Sequence, residues 1–110
     1  MKRLPLMDEV VNIYTSLVED GRIDEGNLFL VLLAGYAAFL WEGGLISSEE
    51  LGKYFESLRS ELLEGPNLLN PYVMELLSIL AEGLNELLFT ELIEKLRITL
   101  REERLDRLEI

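Results

Sequence analysis

Residues 27–41 read NLFLVLLAGYAAFLW, an apolar run with no charged side chain, closed off by Glu25 before it and Glu42 after it. A helix that is apolar on every face is enclosed either by other helices or by a membrane, so this stretch decides the fold. A membrane span takes about 20 consecutive apolar residues, whereas runs of roughly 10 to 14 belong to buried core helices. Residues 28–41 fall in the shorter class. Extending the run toward Ile46 would carry Glu42 and the pair Gly43, Gly44 into hydrocarbon, where a carboxylate is costly and paired glycines weaken a helix. The run therefore predicts a central core helix with no solvent side. Within it Ala34, Gly35, Ala37 and Ala38 form a small-residue zone between Leu32, Leu33, Phe39 and Leu40, and such a zone admits a neighbouring helix at close range.

Working outward, the connections on either side share one design. Gly21 is followed by Arg22, Ile23 and Asp24; Gly44 by Leu45, Ile46 and Ser47; Gly65, further on, leads to Leu69 and Asn70. In each, glycine stops a helix, an apolar residue precedes a Ser, Asp or Asn cap, and a second apolar residue falls four places after the cap. The pairs Ile23 with Leu28, Ile46 with Leu51 and Leu69 with Met74 have the spacing of hydrophobic staples. Ser47 with Glu50 makes a capping box, and Pro71 follows Asn70 at the first helical position. Short linkers between four helices predict antiparallel neighbours.

The remaining helices follow from periodicity. The first opens at Pro5 or is capped by Asp8, carries Leu6, Val10, Ile13, Tyr14, Leu17 and Val18, and stops near Asp20. A third, from Ser48 to about Leu63, places Leu51, Tyr54, Phe55, Leu58 and Leu62 on one face and Glu49, Lys53, Glu56 and Glu61 largely opposite. A fourth is expected from Pro71 to about Phe89, with Gly83 in its middle marking a kink or a close contact, and the small-residue zone of residues 34–38 is its expected partner. Beyond Thr90, Leu92, Ile93, Leu96 and Leu100 continue a helical face, while Leu96, Ile98 and Leu100 also alternate as a strand does. The good helix formers Glu, Leu and Arg favour the helix. The expected fold is thus all-α: a four-helix antiparallel bundle around a buried apolar second helix, with a fifth C-terminal helical segment. Residues 1–89 form the acidic bundle and 90–110 a charged extension packed on the same domain or on a partner subunit.

Composition removes much chemistry. The chain of 110 residues has no cysteine and no histidine, which excludes disulfides, thiolate and imidazole catalysis and most zinc sites. Ferritin-like di-iron sites require histidine and go with them. A net charge of −11 opposes binding to nucleic acid or to anionic membranes in general. From Glu94 onward acids and bases balance, so the deficit lies in the first 93 residues. The N-terminal MKRLPLMDE has too few apolar residues for a signal-peptide core. A chain rich in Leu, Glu and Arg and poor in thermolabile residues fits a thermophile and a cytoplasmic setting.

Two turns resemble the second half of a calcium-binding helix-loop-helix loop: Asp20 to Ile23 followed by Asn27, and Gly44 to Ile46 followed by Glu50. Calcium needs oxygen ligands early in that loop, and Val18, Phe39 and Trp41 occupy such positions. The resemblance is confined to the turn and staple. Glu91 with Glu94 and Glu103 with Asp106 resemble the paired acidic magnesium motif of all-α nucleotide pyrophosphohydrolases, but eight residues separate the pairs and Lys95, Arg97 and Arg101 lie among them. One continuous helix does not gather carboxylates around a phosphate by itself. A solvated charged face is the expected reading, with no catalytic residue, metal or cofactor.

What is left is contact surface. Arg97, Arg101 and Arg104 share one side of the tail, suited to a phosphate stripe or to an acidic neighbour. Glu49, Glu50, Glu56, Glu61 and Glu64 suit a basic partner, including one whose DNA-binding face they would occupy by mimicry. The preferred expectation is a non-enzymatic protein-interaction or assembly protein, a homo-oligomer with the dimer favoured. Its interface residues are expected at Leu96, Ile98, Leu100, Arg101, Arg104, Leu105 and Leu108. Nucleic-acid association through the Arg stripe is the principal alternative, and no membrane is expected.

Overall fold

The computed structural model describes residues 4–64 and 69–102. Every regular element among them is helical: α1 (Met7–Glu19), α2 (Ile23–Glu42), α3 (Ser48–Glu64), α4 (Pro71–Ala81) and α5 (Glu86–Glu102), with no strand among the described residues. The tail sequence that alternated as a strand does is helix in α5.

Glycine closes the first two helices by the same physical means. Gly21 and Gly44 adopt φ of 79° and 74°, left-handed values that cost an L side chain energy. The residue after each donates back to the last turn, Arg22 N–H to Leu17 O at 2.8 Å and Leu45 N–H to Leu40 O at 2.8 Å, so helix-terminal carbonyls are satisfied. At the next helix starts, Glu50 N–H donates to Ser47 Oγ at 3.1 Å and Ser47 N–H to Glu50 Oε1 at 3.3 Å, the reciprocal capping box. Asn70 Oδ1 accepts from Tyr72 N–H at 2.7 Å, with Pro71 at the first helical position.

Three expected boundaries are corrected. Asp24 is not a cap, because α2 already begins at Ile23; Arg22 fills the cap position with no side-chain bond, and Asp24 and Glu25 lie in the first turn near the positive end of the helix dipole. Asp8 likewise sits inside the first turn of α1, whose cap residue is Leu6. The fourth helix does not run to Phe89. It ends at Ala81, Gly83 turns the chain at φ 84°, and α5 starts at Glu86 behind Asn85, whose Oδ1 accepts from Leu88 N–H at 2.8 Å.

The role expected of Gly83 changes with that boundary. A Cβ on it would meet Ser48 Oγ at 2.6 Å and Ser48 O at 3.1 Å, so it lies against the start of α3 and not against the small residues of α2. Gly52 completes the contact from the α3 side, its Cβ position 3.1 Å from Ala81 O and 3.3 Å from Gly83 N. The backbones of α3 and of the α4–α5 turn therefore touch with no side chain between them.

α2 touches each of the other four helices, the only described helix to do so, and this is the organising position its apolar composition predicts. Its Leu30, Ala34 and Ala37 are fully buried in one core cluster with Tyr14 from α1, Phe55 and Leu58 from α3, Leu76, Leu77 and Leu80 from α4, and Leu92 from α5, and its Leu40 is fully buried as well. The buried Asn27 is the polar link in this packing. Its Nδ2 donates to Ile23 O at 3.0 Å, and its Oδ1 accepts from Asn70 N–H at 2.9 Å, tying the first turn of α2 to the start of α4.

Candidate interaction surface

The expected interface residues divide between the two sides of α5. Leu96 and Leu100 are half-buried against the protein's own core beside the fully buried Leu92, and Thr99, 1% exposed, donates its hydroxyl to Lys95 O at 2.7 Å. α5 packs on α4 and α2 through this inner face. Ile98 is half-buried and Arg101 exposed. Arg104, Leu105 and Leu108 lie outside the described residues, as do Glu103 and Asp106 of the expected acidic pairs.

Glu94, Lys95 and Arg97 of α5 are held in ion pairs. Arg97 pairs with Glu94, an exposed contact that holds the Glu94 carboxyl below its ordinary range and raises the Arg97 guanidinium. Lys95 reaches across to Glu75 on α4, and that hydrogen bond raises its ammonium above the usual lysine value. Arg22 and Glu25 make the equivalent pair in the first turn of α2, where Arg22 Nε donates to Glu25 Oε2 at 2.8 Å. Glu49, Glu50, Glu56, Glu61 and Glu64 stand exposed along α3. No group of three or more acidic side chains converges on a metal-sized space among the described residues.

The largest departure from expectation lies on α2. It is not enclosed on all sides. Leu32 is 63% exposed and Phe39 65%, with Tyr36 at 38% and Leu28 and Gly35 partly uncovered. At 100° per residue, positions 28, 32, 35, 36 and 39 follow one line along the helix. The opposite line, Leu30, Ala34, Ala37 and Trp41, faces the bundle, with the Trp41 ring 5.5 Å from Phe89 of α5. α2 is 20 residues long, longer than the uncharged run alone, and on length and composition it matches a membrane span, with half of the apolar window buried by its own bundle.

The Cβ position of Gly35 meets nothing within 4 Å, so the backbone is open to an incoming surface between Leu32 and Phe39. A second apolar patch, a shallow groove of about 600 Å³, lies on α5 between the exposed Leu87 and Ile93, beside Phe89 and Thr90. Sequence reading missed the α2 line because an all-apolar helix does not mark which face is outward. Size gave a partial signal: the alanines 34, 37 and 38 are buried while Leu32, Tyr36 and Phe39 are exposed, but Leu30 and Leu40 are buried too and Gly35 lies on the open line. Neither a protein-family model, nor a curated protein, nor a solved structure matches this chain.

Proposed function

We propose that this protein is a non-enzymatic interaction or assembly module whose contact surface is the uncovered line of α2. The carrying observation is the exposure of Leu32 and Phe39 on the helix that otherwise forms the centre of the core. Exposed leucines scattered singly are ordinary, but a line of large apolar groups on one helix is the kind of surface a partner desolvates. We take α1 to α4 as an antiparallel bundle with α5 laid along α4, a reading supported by the short connections at residues 20–22, 43–47 and 82–85. In that frame α2 is held rigid from behind by four helices, and a rigid contact helix loses little entropy on binding. The proposal retains a cytoplasmic protein partner and no cofactor.

The test is affinity capture with the native chain and with Leu32→Glu/Phe39→Glu, both confirmed helical by circular dichroism. Loss of the captured protein, whether another copy or a different chain, is the expected result of charging the line. Equal capture by both would show that contact is made elsewhere, with the α5 groove and the acidic face of α3 as the surfaces to charge next.

A further inference from the structure

We infer that the occupant of the α2 line is a second copy of this chain, docked antiparallel across a two-fold axis between Gly35 and Tyr36; this rests on the interaction reading above. A two-fold contact requires a patch complementary to itself, residue i meeting j while j meets i. About that axis the positions pair so that their numbers sum to 71. Leu32 then meets Phe39 of the other copy, Phe39 meets Leu32, Leu28 meets Gly43, and the open backbone of Gly35 lies opposite Tyr36. Large faces large at two symmetric places, and small faces large where the helix axes cross closest.

Charge selects both the partner and the direction. The line carries no charged side chain between Glu25 and Glu42, on a chain of net charge −11. A basic partner would find its carboxylates on α3, not here. A parallel pairing would set Glu42 beside Glu42 and Glu25 beside Glu25. The antiparallel one puts Glu42 opposite Phe29 and, at 1.5 Å per residue, about 20 Å along the axis from its own copy, more than two Debye lengths at physiological salt. Overall repulsion between two acidic bodies remains, so the dimer tightens as salt rises, opposite to binding of a basic partner.

Area sets the strength. Side chains of this size present on the order of 150–250 Å² when bare, so the exposed parts of Leu32, Tyr36 and Phe39 leave roughly 300 Å² on each copy. Doubled, this is about 600 Å², to which the half-buried Leu28 and Phe29 add little; it falls short of the roughly 1,200 Å² where stable specific interfaces begin and predicts a weak, reversible dimer.

The absence of cysteine allows the register to be read directly, because each introduced thiol is the only one in the chain. Disulfide formation needs Cα atoms within about 7 Å. Gly35→Cys is expected to cross-link to itself, and Leu32→Cys and Phe39→Cys to cross-link when mixed but not alone. Sedimentation velocity of the native chain should show a dimer fraction that grows with concentration and with salt. Gly35→Leu, whose Cβ has no atom of the monomer within 4 Å, should keep or raise the melting temperature and weaken dimerisation at least tenfold. Self-cross-linking of Leu32→Cys or Phe39→Cys alone would replace the antiparallel axis by a parallel one and overturn the proposal. A native chain that stays monomeric at every concentration overturns it too. If that monomer still loses a different captured protein on Leu32→Glu/Phe39→Glu, or floats with neutral phosphatidylcholine vesicles, the second copy is excluded as occupant. In the first case the interaction reading stands.

Discussion

Replacing Gly83 with alanine tests the junction that decides where α4 ends. Two penalties add at this position. At φ 84° an L residue pays about 1–2 kcal/mol for the left-handed backbone. The new methyl would also fall 2.6 Å from Ser48 Oγ and 3.1 Å from Ser48 O. The hydroxyl can rotate aside, but the carbonyl belongs to the first turn of α3 and must move with it, an overpacking cost of about 1–3 kcal/mol. Gly21→Ala and Gly44→Ala are internal controls, since φ is 79° and 74° and no atom lies within 4 Å of either Cβ position. They carry the conformational term alone. The controls should therefore lose about 1–2 kcal/mol and Gly83→Ala about 2–5 kcal/mol, the latter a fall of at least 8 °C in Tm at about 4 °C per kcal/mol for a domain of this size. Urea and thermal unfolding followed by far-UV circular dichroism measure the three together. Equal losses for all three would mean that α3 and the α4–α5 turn are not in backbone contact, and the correction to the fourth helix would lose its packing rationale.

Asn27→Leu removes the acceptor for Asn70 N–H and should cost about 1–3 kcal/mol in urea unfolding, with protection of the Asn70 amide lost in hydrogen exchange. Asn85→Ala should cost about 1 kcal/mol and fray the start of α5 in NMR secondary shifts, whereas a continuous helix through residues 71–89 would be indifferent to it. Gly35→Ala, with open space at its Cβ, should instead gain up to about 1 kcal/mol in the monomer from helix propensity. Burial pushes the Tyr54 hydroxyl up to about 12 from an ordinary 10, while it donates to Pro5 O at 2.8 Å. The folded pKa lies above the unfolded one, so this contribution is whole below pH 10 and is lost as pH rises toward 12. Thermal unfolding between pH 9 and 12, an experimental range set by that shift, should therefore fall less steeply for Tyr54→Phe than for the native chain.

The fold class was legible because cap chemistry and periodicity agreed along most of the chain. Ser47 with Glu50, and Asn70 with Pro71, name their helix starts by the hydrogen bonds they make, and those bonds are present. The break at residues 82–85 uses the same grammar: Gly83 stops, Leu84 precedes Asn85, and Phe89 falls four places later. It was concealed because Leu80, Leu84, Leu88 and Leu92 keep helical spacing straight through it. Periodicity reports which residues face the core, and two helices joined by a short turn can present one continuous apolar count. The polar cap residue, not the leucines, carried the boundary.

The uncovered apolar line of α2 was less legible for a related reason. An amphipathic helix declares its outward face by polarity, as α3 does with Glu49, Lys53 and Glu56 against Leu51, Phe55 and Leu58. α2 has no such contrast, so polarity is silent, and volume discriminates only in part, because Leu30 and Leu40 are buried beside the alanines and Gly35 lies on the open line. Alanines occupy the side where neighbouring axes crowd, while Leu32, Tyr36 and Phe39 occupy the side with room. The tail had the reverse ambiguity. Its leucines appeared surplus only while α4 was taken to reach Phe89; once the chain turns at Gly83, Leu92, Leu96 and Leu100 fall onto the bundle and cover it. Moving the helix boundary therefore places the tail's leucines on the bundle and leaves the uncovered apolar surface on α2 and on the side of α5 that carries Leu87 and Ile93.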